Sequence, residues 1–270
     1  MDAYHLPEKT SQTNSNLPIN FHSKPVIIYY FIDPFHSDYS LTDIHLKKLT
    51  IEYGRFIQIR PVIRHKIIHV SKNRNDPNWN RHFLSISMLA ATLQGNRAGR
   101  DFLRYIQQSI FLYYEHVQHS KEILASLIEQ AAVKANLDLH EFYRDLFSDS
   151  VNKAYQSDVQ LIREMEVTQY PTLVFYSQHT DDYGIKIAGV QNYETYTFIL
   201  EDILKFELQT VQKLSLEDSF QLFKRLRTED VAFMYDYSLK EAEKKIKKLR
   251  LQRIVKEIEI NGFRLWEYSG

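Results

Sequence analysis

Cysteine is absent from this chain of 270 residues. Without a thiolate the chain cannot form a disulfide or exchange one, and it lacks the sulfur ligands of zinc fingers and iron–sulfur clusters. Glycine is also scarce, with 7 residues in the whole chain. Because glycine supplies most positive-φ turns, this scarcity favours long helices over many tight hairpins.

A surplus of either charge is missing too, since 34 basic residues balance 34 acidic ones. The chain as a whole therefore does not resemble an electrostatic binder of nucleic acids or membranes, which requires a basic surplus. Residues 1–24 are polar and contain no apolar stretch suited to a signal peptide, and no run approaches the roughly 18 apolar residues of a membrane span. We expect a cytoplasmic protein with a flexible N-terminal arm over 1–24.

Aromatic and β-branched residues are plentiful and begin the ordered part of the chain. The run VIIYYFI at 26–32 is typical of a strand buried on both faces. A helical pattern follows through Tyr53, closed by Gly54, and a second strand is predicted over 55–63. This β-α-β order predicts two parallel strands joined by a right-handed crossover.

A long helical block separates this unit from a second group of strands. Residues 64–80 read as a loop, and 81–166 as four or five helices with breaks near Gly95, Ser120, 136–138 and 148–150. The apolar stripe Phe102, Ile106, Ile110 and Tyr113 is interpreted as core. After the block, 173–176 and 184–189 predict an antiparallel hairpin, followed by a helix over about 193–208.

This order of elements predicts an α/β thioredoxin fold with a helical insertion, spanning 25–212. In that fold the active dipeptide loop lies between the first strand and its helix, at the positions held here by His36, Ser37, Asp38 and Tyr39. The fold also has a cis-proline just before its third strand, which makes Pro171 the candidate. A trans proline at the first position of a strand is the alternative, because a strand tolerates a missing N–H there.

No sulfur occupies the dipeptide loop, so the loop excludes dithiol exchange. A glutathione-dependent isomerase or transferase stays open as an alternative, with Ser37, Tyr39 or Ser40 donating to a bound thiolate. For Ser40 the role of N-cap of the helix is favoured over such a contact. The histidine pairs 65/69 and 116/119 lack nearby carboxylates in a ligand pattern. No nucleotide, metal or serine-hydrolase motif is found, so we expect neither a cofactor nor a metal site.

Residues 213–270 predict a small separate unit with a winged-helix outline. We expect helices over 213–227 and 229–235, and a third opened by Ser238 that buries Leu239, Ala242, Ile246 and Leu249. The Asn-Gly pair in 258–265 predicts a type I′ hairpin. The third helix is rich in lysine, but the unit has 13 basic and 10 acidic residues. A solvated helix face is therefore favoured over a nucleic-acid interface.

Several separated blocks together resemble the YjbH/SpxH family of Firmicutes, adaptors of the ClpXP protease. The similarity runs from about residue 25 to the end of the chain, and its blocks are YFIDPF at 30–35, IEYGRF at 51–56, AATLQG at 90–95, REMEV at 163–167, YPTLVF at 170–175, GIKIAG at 184–189 and MYDYSL at 234–239, with the late Trp266.

The resemblance implies a DsbA-like thioredoxin domain, a winged-helix-like C-terminal domain, and a non-enzymatic adaptor. Its implied partners are the transcription regulator Spx, which is handed over for degradation, and ClpXP. Family members often carry one or two cysteines in the dipeptide loop, whereas this chain has His36 and Tyr39, so thiol-based sensing is not expected. The histidine-rich, zinc-binding N-terminus of some members is reduced here to His5 and His22, so zinc is not expected either.

Overall fold

The computed structural model describes residues 24–36, 38–64, 79–178, 184–205 and 213–270. Predictions for Ser37, for the turn around 181–182 and for residues 206–208 lie outside these ranges. The same holds for nearly all of the predicted arm over 1–24 and of the loop over 64–80. The helix predicted over about 193–208 ends earlier, at Leu204, because Lys205 has left-handed backbone with a φ of 58°.

A four-stranded mixed sheet forms the centre of the first domain. Its strands are β1 (Val26–Ile32), β2 (Ile57–Ile63), β3 (Thr172–Ser177) and β4 (Gly184–Ala188), in the order β2-β1-β3-β4. β1 runs parallel to β2 and antiparallel to β3, and β3 and β4 are antiparallel. The central strands are almost wholly buried, as their continuous apolar sequences predict. The predicted β-α-β and hairpin arrangement is confirmed.

Eight helices surround this sheet in the described part of the first domain. They are α1 (Tyr39–Tyr53), α2 (Trp79–Leu93), α3 (Asn96–Leu112), α4 (Tyr114–His119), α5 (Lys121–Lys134), α6 (Leu139–Asp145), α7 (Asp149–Glu164) and α8 (Tyr193–Leu204). The insertion thus holds six helices rather than four or five. The short α4 was missed because only Tyr113 separates it from α3, and no glycine or proline marks the break.

The predicted breaks within the insertion are helix N-caps. Ser120, Asp138 and Ser148 each have extended backbone, and each side chain accepts a hydrogen bond from the N–H three residues later. Each such cap contributes about 1 kcal/mol to the stability of its helix. The stripe on α3 is core as predicted, since Phe102, Ile106 and Ile110 are fully buried in one cluster with residues of the sheet.

The C-terminal residues form three helices around a second, three-stranded sheet. The elements are α9 (Leu216–Phe223), β5 (Arg225–Leu226), α10 (Thr228–Tyr235), α11 (Leu239–Leu251), β6 (Val255–Ile260) and β7 (Phe263–Tyr268), with strand order β5-β7-β6. The prediction of one helix over 213–227 is wrong. The helix stops at Phe223 because Lys224 has a positive φ of 66°, and the next two residues pair with β7.

The terminal hairpin has the predicted turn and register. Asn261 and Gly262 have φ values of 49° and 79°, as a type I′ turn requires, and Glu259 lies opposite Arg264. The prediction for α11 holds only in part, since Ala242 and Ile246 are buried. Leu239, the first residue of α11, is 58% exposed, so its predicted burial is wrong.

The C-terminal unit packs directly against α1 and α3 of the first domain. Ile51 of α1 is buried in the C-terminal hydrophobic cluster rather than in the cluster of the first sheet. At the other side of the contact, the Asn261 side-chain amide donates to the carbonyl oxygen of Leu112 at 2.7 Å, and the rings of Phe263 and Phe111 lie 5.7 Å apart. The two parts therefore share core contacts, and the boundary near residue 212 remains a prediction.

Asp230, at the start of α10, is expected to couple stability to pH. Burial by itself raises the pKa of Asp230, but the charges of Lys47 and Arg227 and hydrogen bonds from Arg227 hold that pKa below its ordinary value. A lowered folded-state pKa stabilises the protein fully above the unfolded pKa of about 4, and this stabilisation is lost as the pH falls through the folded value.

We expect Asp230→Asn to lower the free energy of unfolding by about 2 kcal/mol at neutral pH, and by progressively less as the pH falls below the unfolded pKa of about 4 and through the lower folded-state pKa. Urea denaturation at the two pH values measures both differences. Glu229→Gln is the matched control, because it removes an equal charge from an exposed position in the same helical turn. An Asp230→Asn penalty that persists unchanged at acid pH would contradict the assignment.

Candidate functional site at the start of the first helix

The candidate site lies where β1 ends and α1 begins, in the loop that carries thiols in thioredoxin-fold enzymes. Backbone bonds turn the chain here: the N–H of His36 donates to the carbonyl of Asp33 at 2.9 Å, and the N–H of Tyr39 donates to the carbonyl of His36 at 3.3 Å. Of the four predicted positions, His36, Asp38 and Tyr39 are described by the structure, and Ser37 lies outside the described residues.

His36 and Asp38 form a small polar turn at the surface. The N–H of Asp38 donates to Nδ1 of His36 at 3.3 Å, and the carboxylate of Asp38 lies 3.9 Å from the same nitrogen. The side chains are 42% and 51% exposed. A ring nitrogen that accepts a backbone hydrogen bond cannot replace a thiolate as a nucleophile for disulfides, so this turn has no exchange chemistry.

Tyr39 is buried and its hydroxyl is already bonded. It is 6% exposed, and its hydroxyl donates to the carbonyl oxygen of Gln107 in α3 at 2.8 Å. Burial and the nearby charge of Asp43 raise the pKa of Tyr39 well above its ordinary value, so the phenol stays neutral. The residue at the second thiol position therefore connects α1 to the insertion and offers no free donor to a ligand.

Ser40 does not cap the helix. α1 begins at Tyr39 with Asp38 as its N-cap residue, so Ser40 lies inside the first turn and the interpretation of it as the cap is wrong. Asp38 has right-handed helical backbone and its side chain makes no capping hydrogen bond. The chain therefore enters α1 through a helical turn rather than through the extended residue that a side-chain cap requires.

Beneath this loop lies an ion cluster that the sequence reasoning missed. Asp33 is 1% exposed, and both of its carboxylate oxygens accept from Nε of Arg81, at 3.1 and 2.9 Å. Nη1 of Arg64 donates to the same carboxylate at 2.9 Å, and the N–H of Phe35 donates at 3.1 Å. We call Asp33, Arg64 and Arg81 the Asp33 cluster. It joins the end of β1 to the end of β2 and to the first helix of the insertion.

Pro171 lies at the same end of the sheet. The peptide bond between Tyr170 and Pro171 is cis. Because Phe31 pairs with Thr172, Pro171 lies opposite the end of β1, beside the loop that leads to α1. The guanidinium of Arg64 lies 5.2 Å from the centre of the Tyr170 ring, which connects this segment to the Asp33 cluster. The loop and Pro171 thus lie at the same end of the central sheet.

A narrow cavity opens between the start of α1, α3 and the C-terminal unit. Its volume is about 60 Å³ and its lining includes Tyr39, Ser40, Arg104 and Arg227. The charged groups of the lining form ion pairs; Lys47 with Asp43 at 2.8 Å and Arg227 with Asp230 at 2.7 Å are two of them. The space accommodates a few water molecules rather than a tripeptide, since ligand sites usually measure about 300–1,000 Å³.

Within the residues that the structure describes, no group of three metal-binding side chains is close enough to hold an ion. The same described residues include no helix with the length and apolar character needed to cross a bilayer. The expectation of no metal and no cofactor remains a prediction.

The fold and the loop together define a class: a thioredoxin-like protein with His36 and Tyr39 at the positions where enzymes of this fold carry thiols. The family model described as Thioredoxin matches residues 29–198. A solved structure from Nitrosomonas europaea, provisionally assigned as a protein disulfide isomerase, is similar with a TM-score of 0.51 and 17% identity. It covers 68% of this chain and 98% of that one, and shows the fold alone.

Full-length relatives identify the particular family. The chain is 31% identical over 293 residues to the ClpXP adapter protein SpxH of Bacillus cereus, covering 97% of this chain and 96% of that protein. It is 32% identical over 272 residues to the ClpXP adapter protein SpxH of Bacillus licheniformis, covering 91% and 89%. The chain belongs to the SpxH family, as the separated sequence blocks predicted.

Proposed function

We propose that this chain is a cytoplasmic adaptor that binds the transcription regulator Spx and promotes its degradation by the ClpXP protease. The observation that carries the proposal is a thioredoxin framework without its chemistry: His36 occupies one thiol position, and Tyr39 occupies the other with its hydroxyl bonded to Gln107. Relatives that share nearly the full length of the chain are named as ClpXP adapters.

The proposal includes a non-enzymatic role. An adaptor works by binding, so it needs a stable surface and no reactive group. A thioredoxin fold is compatible with this role, because function depends on the residues of a site rather than on the fold that carries them. A glutathione-dependent isomerase or transferase is not favoured. The hydroxyl of Tyr39 is committed to a backbone carbonyl, and the cavity of about 60 Å³ beside it is too small for a tripeptide thiol.

The proposal also assigns a role to the division of the chain. An adaptor holds a substrate and a protease at the same time, and two packed units provide two separate surfaces for them. We propose that 25–212 forms the thioredoxin-like unit and 213–270 the winged-helix-like unit. The element order α9-β5-α10-α11-β6-β7 and the strand order β5-β7-β6 support the winged-helix interpretation.

Reconstituted degradation tests the function directly. Purified ClpXP, ATP and Spx are incubated with and without this chain, and the half-life of Spx is followed on gels. We expect the chain to shorten the half-life of Spx at least about tenfold, because holding Spx close to the protease raises the effective concentration of Spx there. Reactions without ATP or without the proteolytic subunit are the controls. An unchanged half-life in the complete reaction would contradict the proposal.

A further inference from the structure

α11 carries the densest positive charge in the described part of the chain. Six of its residues are basic and two are acidic, in a protein with no net charge overall. One face of the helix holds an exposed set that we call the lysine face: Lys240, Lys244, Lys247, Lys248 and Leu251.

The lysine face points away from the protein. Residues on a helix are separated by about 100°, which places Ala242, Ile246 and Leu249 on one side and the lysine face on the other. Ala242 and Ile246 are fully buried against the C-terminal cluster, and Leu249 packs against it. α11 packs mainly on α10 and β6. Its outer side therefore receives no cover from the described part of the first domain.

Most of the charge on this face is not neutralised. Lys247 pairs with Glu243 at 2.8 Å. Lys240, Lys244 and Lys248 have no carboxylate within 4 Å among the residues described by the structure, and they follow one another at intervals of four. Like charges at this spacing repel one another by a few tenths of a kcal/mol per pair. An acidic ligand would relieve that repulsion as well as pair with the lysines.

An apolar side chain lies on the same face. Leu251 is 83% exposed at the end of α11, one turn beyond Lys247 and Lys248. Single exposed leucines are common on protein surfaces and need no explanation. A leucine beside a row of cations, however, offers a ligand an apolar contact that a phosphate group cannot make. The combination fits a polypeptide that carries carboxylates beside an apolar residue.

The neighbouring hairpin argues against nucleic acid as the ligand. Its Glu257 pairs with Arg250 at 2.9 Å and with Arg264 at 3.0 Å, so both guanidinium groups are already engaged. Arginine is the residue that contacts phosphates and guanine edges with two hydrogen bonds, whereas the cations of the lysine face are all lysines.

The tip of the hairpin is also occupied. Asn261 donates to the carbonyl of Leu112, and Phe263 packs on Phe111, so the turn is held on α3. Because the hairpin tip is packed on α3, it is not available to contact a DNA duplex bound next to α11. The helix alone remains available for binding.

We propose that the lysine face binds an acidic segment of a protein partner, with carboxylates paired to Lys240, Lys244 and Lys248 and an apolar side chain placed on Leu251. This inference depends on α11 and its surroundings, and it stands independently of the degradation assay.

Fluorescence anisotropy with a labelled Glu-Glu-Leu repeat peptide of about 12 residues tests the proposal on the full chain. We expect K240E/K244E/K248E to weaken binding at least about tenfold, and we expect wild-type affinity to fall as salt rises. The matched control R97E/K153E/R163E makes the same change in net charge at exposed positions of the insertion and is expected to bind within about twofold of wild type.

L251S is expected to weaken binding of the peptide about threefold, because it removes the apolar contact and leaves the charges in place. Circular dichroism confirms folding of each variant. Equal binding of the peptide by the lysine-face variant and the control would overturn the proposal, as would no saturable binding by wild type at low salt. Tighter wild-type binding to a short DNA duplex than to the peptide, lost in K240E/K244E/K248E, would overturn it in favour of nucleic acid.

Discussion

Replacing Trp266 with alanine is expected to lower the free energy of unfolding by about 3–5 kcal/mol. Trp266 is 1% exposed and is the largest fully buried side chain among the described residues. It lies on β7 opposite Leu226 of β5, and its indole N–H donates to the hydroxyl of Thr228 at 3.0 Å. Alanine removes most of that buried surface, leaves a cavity, and leaves the Thr228 hydroxyl without this donor. Urea denaturation followed by circular dichroism measures the change.

Two controls separate the cavity from other effects. Trp266→Phe keeps an aromatic ring but loses the hydrogen bond, and we expect it to cost about 1–2 kcal/mol. Leu251→Ala removes a side chain that is 83% exposed, and we expect a change of less than about 0.5 kcal/mol. A Trp266→Ala variant within 1 kcal/mol of wild type would contradict the role of Trp266 as the centre of the C-terminal core.

Replacing Asp33 with alanine is expected to destabilise the protein by about 3 kcal/mol. The carboxylate of Asp33 is buried and is bonded by Arg64, by Arg81 and by the N–H of Phe35. Its removal leaves two guanidinium groups close together without a counter-charge. They are 31% and 27% exposed, so water solvates them in part and limits the penalty to the lower end of the range for buried pairs.

Asp202→Asn is the comparison variant for the Asp33 cluster. Asp202 pairs with Lys205 at 3.2 Å on the surface, and such exposed pairs contribute about 0–1 kcal/mol. Asp33→Asn should fall between the two, since asparagine can still accept hydrogen bonds but carries no charge. Thermal and urea denaturation rank the three variants. Equal stabilities for Asp33→Ala and Asp202→Asn would show that the buried cluster adds nothing beyond a surface ion pair.

Local patterns in the sequence were sufficient for most of the fold. The apolar run of β1 predicts its bounds, and the Asn-Gly pair predicts both the turn and the register of the last hairpin. These features depend on residues that are near neighbours in the chain. β5 was missed because its two residues become a strand only through pairing with Glu267 and Trp266, about 40 positions later.

The candidate site, too, could be predicted only in the part that depends on neighbouring residues of the chain. The absence of cysteine and the place of His36 and Tyr39 in the loop follow from the sequence alone. The bond from Tyr39 to Gln107 joins residues 68 positions apart, and Arg81 is 48 positions from Asp33. No local pattern indicates such partners. Three-dimensional packing was needed to show that Asp33 and Tyr39, on either side of the loop, are engaged in these contacts rather than free to bind a ligand.

The anchoring of the last hairpin to α3 has a consequence for delivery. Because the Asn261 side chain donates to the carbonyl of Leu112 and Ile51 of α1 is buried in the C-terminal cluster, the C-terminal unit is fixed directly on the first domain. Two proteins bound to these two parts of the adaptor would be held at a separation that the adaptor itself fixes. The rate at which a bound substrate is transferred to the protease would then depend on whether that separation suits the substrate. Lengthening the chain between the two parts of the adaptor would not increase this rate.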